Sequence, residues 1–174
     1  ARLWTEENVC FDGEFFHYQN ATISPRPVNA HIPLWIGGSS EVAMRRTARF
    51  GTGWLGGIDT PEQAGEMGRG IQRELVKTGR TIDDDHYGAT FSFRFGRSDD
   101  EPATGAARGL ATRVKNPARY MVVGNADDII GRVNEYRDQG CSKFVLLPIA
   151  RGNQEMMKQT RLFIEQVIPE FVGL

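Results

Sequence analysis

Pro33-Leu34-Trp35-Ile36-Gly37-Gly38-Ser39-Ser40-Glu41 runs on through Arg45-Arg46 and Arg49 to Gly51-Thr52-Gly53-Trp54-Leu55-Gly56-Gly57. This stretch reads as strand, tight turn, short helix, strand. Leu34-Trp35-Ile36 is a short apolar run of the kind buried in a parallel sheet. Gly37-Gly38 permits a sharp turn and close backbone approach. Ser39 or Ser40 can cap the helix that follows. Gly51 ends that helix, and Trp54-Leu55 starts the next strand. The helix start leaves backbone N–H groups beside two hydroxyls, with no glycine side chain in the way. That chemistry holds a phosphate. The same residues also suit a plain strand-to-helix turn that binds nothing, so both readings stand at this level.

Further along, the alternation continues. Thr60-Pro61-Glu62-Gln63 carries helix-start chemistry, with Thr60 as N-cap and Gln63 closing a capping box. The helix is expected to run to about Thr78, where Gly79 stops it. Residues 86–96 read as a strand in which Phe91, Phe93 and Phe95 alternate with Ser92, Arg94 and Gly96. Period two puts the phenylalanines on one face and the polar residues on the other. Residues 97–118 lack a period and are expected as a mobile loop with one helical turn. Asn125 caps a helix ended by Gly140, Lys143–Leu147 is the last strand, and a final helix starts near Asn153. Such alternation predicts α/β architecture, about four parallel strands with crossover helices, in a single domain over residues 1–174. Ahead of it, residues 1–30 read as a connector and hairpin, turned at Asp12-Gly13 or Gln19-Asn20.

Composition narrows the function. With 174 residues, 40% of them apolar and 25% charged, the chain can build a core. A net charge of −1 without a basic block points away from nucleic acid and anionic membranes. No apolar run approaches the roughly 20 residues that span a bilayer, and no stretch reads as a signal peptide. The two cysteines, Cys10 and Cys141, do not suggest a disulfide framework, so a cytoplasmic location is the expectation. His17, His31 and His86 fall in separate segments without metal-ligand spacing, and no metal is expected. Arg94, near the end of its strand on the polar face, either meets a substrate or makes a salt bridge within the wall. Trp54 reads as core.

Pro-Leu-Trp-Ile-Gly-Gly-Ser-Ser over residues 33–40, Ala43-Met44-Arg45-Arg46-Thr47-Ala48-Arg49 and Gly-Thr-Gly-Trp over 51–54 together resemble the luciferase-like monooxygenase family. Phe11-Asp12-Gly13-Glu14-Phe15-Phe16, Pro25-Arg26-Pro27, Gly124–Asp128 and Gly140–Leu146 extend the resemblance in order. One departure is Thr52, where the family has Asp. The resemblance implies the C-terminal half of a (β/α)8 TIM barrel. It implies a flavin- or deazaflavin-dependent oxidoreductase, using FMN with oxygen or F420 for hydride transfer, on a small organic substrate. Gly37, Gly38, Ser39 and Ser40 would bind the cofactor phosphate, and Arg94 would face the substrate. Catalytic residues are expected in the N-terminal half of the barrel. Because half a barrel leaves open edges, the expected partner is that other half or a second copy of the chain. The alternative is a half-barrel that binds flavin, or serves structurally, without catalysis. Tyr87-Gly88-Ala89 and the arginine content lean toward the F420 branch.

Overall fold

A computed structural model describes residues 1–173. The backbone forms two compact units, Ala1–Leu34 and the chain from Trp35 onward. In the first unit a short helix α1 (Arg2–Thr5) precedes an antiparallel hairpin of β1 (Val9–Asp12) and β2 (His17–Ala21). The turn is the one at Asp12-Gly13: the Gly13 N–H donates to the Phe16 carbonyl at 3.0 Å.

The second unit is a parallel sheet with crossover helices. Its elements are β3 (Trp35–Gly37), α2 (Glu41–Phe50), β4 (Gly53–Leu55), α3 (Pro61–Thr78), β5 (Tyr87–Phe95) and α4 (Glu101–Leu110). They continue with β6 (Met121–Gly124), α5 (Ala126–Asp138), β7 (Lys143–Pro148) and α6 (Gly152–Gln166). Among the described residues the sheet has five strands, where the sequence predicts about four. The extra strand is β6, whose four residues are too short to show a period. A ten-residue helix, α4, occupies the segment expected as a mobile loop. Ala103 is its one buried residue, so it lacks the apolar stripe that reveals a helix in sequence.

Long β5 organises the sheet. Gly88 pairs with both Leu55 of β4 and Lys143 of β7, and Phe93 pairs with both Val122 of β6 and Pro148 of β7. A strand has two edges, so β7 takes one, while β4 and β6 share the other at different heights. All these pairings are parallel, so the strands end in one direction but at two levels. Gly37 and Leu55 are level with Gly88, near the start of β5, whereas Gly124 and Pro148 are level with Phe95 and Phe93.

Period two decides the two faces. Phe91 stacks on Tyr136 of α5, with centroids 5.4 Å apart, and Phe93 meets Phe163 of α6 at 4.9 Å. These rings join Trp54, Ile71, Leu75, Ile129 and Val133 in one buried core on the helix side. Thr90, Ser92 and Arg94 point the other way. On that face Val145 and Leu147 of β7 remain 43% and 50% exposed.

The glycines of α3 have a packing reason that the sequence does not disclose. A Cβ at Gly65 would lie 2.1 Å from Gln139 Oε1, and one at Gly70 would lie 2.5 Å from Met44 Sδ. Their missing side chains admit α5 and α2. Both ends of α3 follow its capping chemistry: Thr60 Oγ1 accepts from Gln63 N, and Gly79 closes the helix at φ +64°.

Candidate functional site

The turn after β3 has the geometry its residues allow. Gly38 takes φ +99°, a left-handed conformation that favours glycine. Of the two serines, Ser40 is the cap: its Oγ accepts from Ala43 N at 3.2 Å, and its carbonyl accepts from Met44 N at 3.0 Å. With the Ala43 donor satisfied, the N–H groups of Glu41 and Val42 remain at the start of α2, where the helix dipole favours an anion. Gly37, Gly38, Ser39 and Ser40 are all exposed. The donors are therefore backbone N–H groups and two hydroxyls that can still donate, a set suited to phosphate oxygens.

Two neighbours shape this turn. Buried Trp54 of β4 sends its indole Nε1–H to the Gly38 carbonyl at 2.9 Å, which fixes the turn to the core. Glu41, an acid at the first helical position, lies 3.4 Å from Arg45. Arg49 lies over the Phe50 ring and Arg46 is exposed, so these arginines keep to the helix surface.

Arg94 occupies another part of the same face. It is 8% exposed. Its Nη1 donates to the Ile149 carbonyl at 3.0 Å and to Glu155 Oε1 at 2.6 Å, while Nε lies 3.4 Å from Asp100 Oδ2. It thus ties β5 to the start of α4, the end of β7 and the first turn of α6. The Glu155 carboxyl is held below the usual glutamate range by the Arg151 backbone N–H and then by Arg94. Next to it, the side-chain amide of buried Gln159 pairs with both backbone groups of Phe95, at 2.7 and 3.0 Å. Exposed Arg151 adds an ion pair to Glu101 of α4.

The structure does not bring Arg94 to the glycine turn. Gly37 is level with Leu55, and Leu55 with Gly88. Arg94 lies six residues further along β5, about 20 Å at the usual strand rise.

Two further features stand near the strands. Asp59 had no signal in the sequence, whereas the acidic run Asp83-Asp84-Asp85 is visible there ahead of β5 and reads as a solvated turn. Asp59, just past β4, is buried, its carbonyl accepts from Tyr136 Oη at 2.6 Å, and its Oδ2 has no hydrogen-bond partner among the described residues. Burial pushes the Tyr136 phenol up, so it stays a neutral donor to Asp59. Just before β5, Asp83, Asp85 and His86 offer ligand atoms within 4.8 Å of one another. Lys143 already pairs with Asp85 at 2.9 Å, and His86 Nδ1 lies 2.8 Å from the Thr52 carbonyl.

A family model described as luciferase-like monooxygenase matches residues 1–119. The chain belongs to the luciferase-like monooxygenase family. An F420-dependent glucose-6-phosphate dehydrogenase from Microbacterium testaceum is 24% identical over 193 residues, covering 96% of this chain and 56% of that protein. Among solved structures, an F420-dependent secondary alcohol dehydrogenase in complex with an F420-acetone adduct superposes with a TM-score of 0.72 at 15% identity. The match covers 96% of this chain and 57% of that one. The monooxygenase RslO1 from Streptomyces bottropensis gives 0.67 at 19% identity, covering 98% and 58%. The parallel sheet with its crossover helices is thus the fold of half of this luciferase-like family's TIM barrel, the half expected at its C-terminus. The chain spans little more than half the length of these relatives. No helix among the described residues is long and apolar enough to cross a membrane.

Proposed function

We propose that this luciferase-like chain works in a flavin- or deazaflavin-dependent oxidoreductase, where Gly37, Gly38, Ser39 and Ser40 hold the cofactor phosphate. One observation carries the reading: a Ser40-capped helix start, pinned through Gly38 to Trp54, at the strand ends where barrel enzymes build their sites. The bound cofactor supplies the redox chemistry, and this chain's residues orient it and shape the mouth. F420 is proposed ahead of FMN, because the Microbacterium relative and the alcohol dehydrogenase are both named for it. The substrate proposed is a small organic molecule. For Arg94 we propose a positioning role at the mouth, since its Nε and Nη1 are already engaged by Asp100, Glu155 and Ile149. The apolar inner face at Val145 and Leu147 supports a partner that covers it, either the other half of the barrel or a second copy. Both cysteines are free, which suits the reducing cytoplasm.

The test is a fluorescence titration of the full chain with F420 and, separately, with FMN. Saturable binding that falls when Ser39 and Ser40 are both replaced by alanine is expected. Affinity unchanged in that double variant would sink the phosphate assignment.

A further inference from the structure

On the helix side of the sheet, α5, β7 and α6 leave a cavity of about 630 Å³, closed at one end by the 3-10 turn Ile168–Phe171. Val133, Phe144, Leu146, Phe163, Ile168 and Phe171 supply its apolar walls. Cys141 adds inner wall, and burial pushes its thiol up to about 11, so the wall is uncharged there at neutral pH. The size lies within the range of small-molecule sites, about 300–1,000 Å³.

One cation stands at the lip. Arg137, in the last turn of α5, lies over the Phe171 ring, 5.6 Å from its centroid. Its hydrogen bond is a long one, 3.4 Å to Asn134 Oδ1, and among the described residues it pairs with no carboxylate. An arginine fork beside an apolar cavity matches a ligand with an anionic head and a hydrocarbon tail. The guanidinium binds a carboxylate through two parallel hydrogen bonds, and the aromatic and aliphatic walls take the tail out of water.

We infer that this cavity is a binding site for an amphiphilic carboxylate, with Arg137 on the head group and Phe144, Leu146 and Phe163 around the tail. The lining comes from α5, β7, α6 and the turn after it, with β4 and β5 lying between β7 and β3, and it shares no residue with Gly37–Ser40. The two sites are therefore separate, and this one does not rest on the cofactor reading.

Isothermal titration of the full chain with octanoate and with 1-octanol tests it. Octanoate is expected to bind saturably at one site per chain. Arg137→Ala should weaken octanoate about tenfold and leave 1-octanol unchanged, because it removes only the head-group contact. Arg137→Lys should keep part of the octanoate affinity. Ile168→Trp, at a position 41% exposed on the rim, should block both ligands by filling the cavity. Absence of saturable octanoate binding would overturn the proposal, as would equal losses of both ligands in Arg137→Ala. Competition by FMN or F420, or undiminished binding in a folded Ile168→Trp, would do the same. So would a dimer, seen by sedimentation, that seals the cavity against octanoate. If Ile168→Trp does not fold, the two Arg137 variants decide the matter.

Discussion

The indole Nε1–H of Trp54 donates to the Gly38 carbonyl across 2.9 Å, and this bond links the buried core to the exposed glycine turn. Trp54 has no exposed surface, so its ring cannot move without disturbing the core. Gly38, at φ +99°, depends on that anchor to present Ser39 and Ser40. Trp54→Phe keeps most of the ring and deletes the donor. The lost hydrogen bond and the smaller ring in a fully buried site should together cost about 2–4 kcal/mol of stability, or several degrees in Tm for a chain of this size. F420 affinity should fall as well, because the turn loses its tether. A lowered Tm with unchanged affinity would show that the turn holds its shape without Trp54.

Ser40 has two duties that one pair of variants separates. Its side chain caps α2 through Ala43 N, and the proposal also gives it a phosphate to bind. Ser40→Ala loses both, with a capping cost of about 0.5–2 kcal/mol. Ser40→Asp keeps a good cap and adds a negative charge where the phosphate would sit. Its Tm should match the parent, while cofactor affinity should fall about tenfold or more. Tight cofactor binding by a stable Ser40→Asp chain would remove the anion from this turn.

Arg94 should behave as a clasp. Arg94→Ala leaves Glu155 and Asp100 without their cation in a half-buried setting, at a cost of about 1–3 kcal/mol. Arg94→Lys keeps the charge but cannot reproduce the planar fork that meets three partners, so it should recover part of the loss. Limited proteolysis within residues 97–120 should quicken in both, because α4 loses its tie to β5. If Tm and proteolysis stay at parental values while substrate affinity drops, Arg94 is a substrate contact instead.

Local chemistry was legible in the sequence, and long-range pairing was not. The Thr60–Gln63 capping box, the Gly79 stop and the two faces of β5 follow from neighbouring residues, and the structure shows each of them. Strand β6 was missed because Met-Val-Val-Gly is shorter than any readable period. Helix α4 was missed because alanine and glycine give it no apolar stripe. At Arg94 the sequence placed the residue on the polar face but left its role open, since Ile149 and Glu155 lie 55 and 61 residues away. Gln159, paired to Phe95 across 64 residues, gave no signal. Ser40 was one of two equal candidates for the cap, and backbone geometry chose it.

The same clasp has a pH signature. Glu155 is held below its ordinary value of 4.5, first by the Arg151 backbone N–H and then by Arg94. A carboxyl lowered by folding stabilises the fold fully above its ordinary value, and that contribution is lost as pH falls through the lowered one. Glu62, Asp85 and Asp99 are lowered as well, so an acid melting curve of the parent chain alone mixes several groups. Glu155→Gln removes one group and leaves the others. The difference in Tm between parent and variant should be constant from about pH 6 upward and should shrink below the ordinary glutamate range. Thermal melts of both chains from about pH 3 to pH 7 measure that difference. A difference that stays the same across the whole range would mean Glu155 is not held ionised by Arg151 and Arg94, and the clasp would then rest on Asp100 and the Ile149 carbonyl alone.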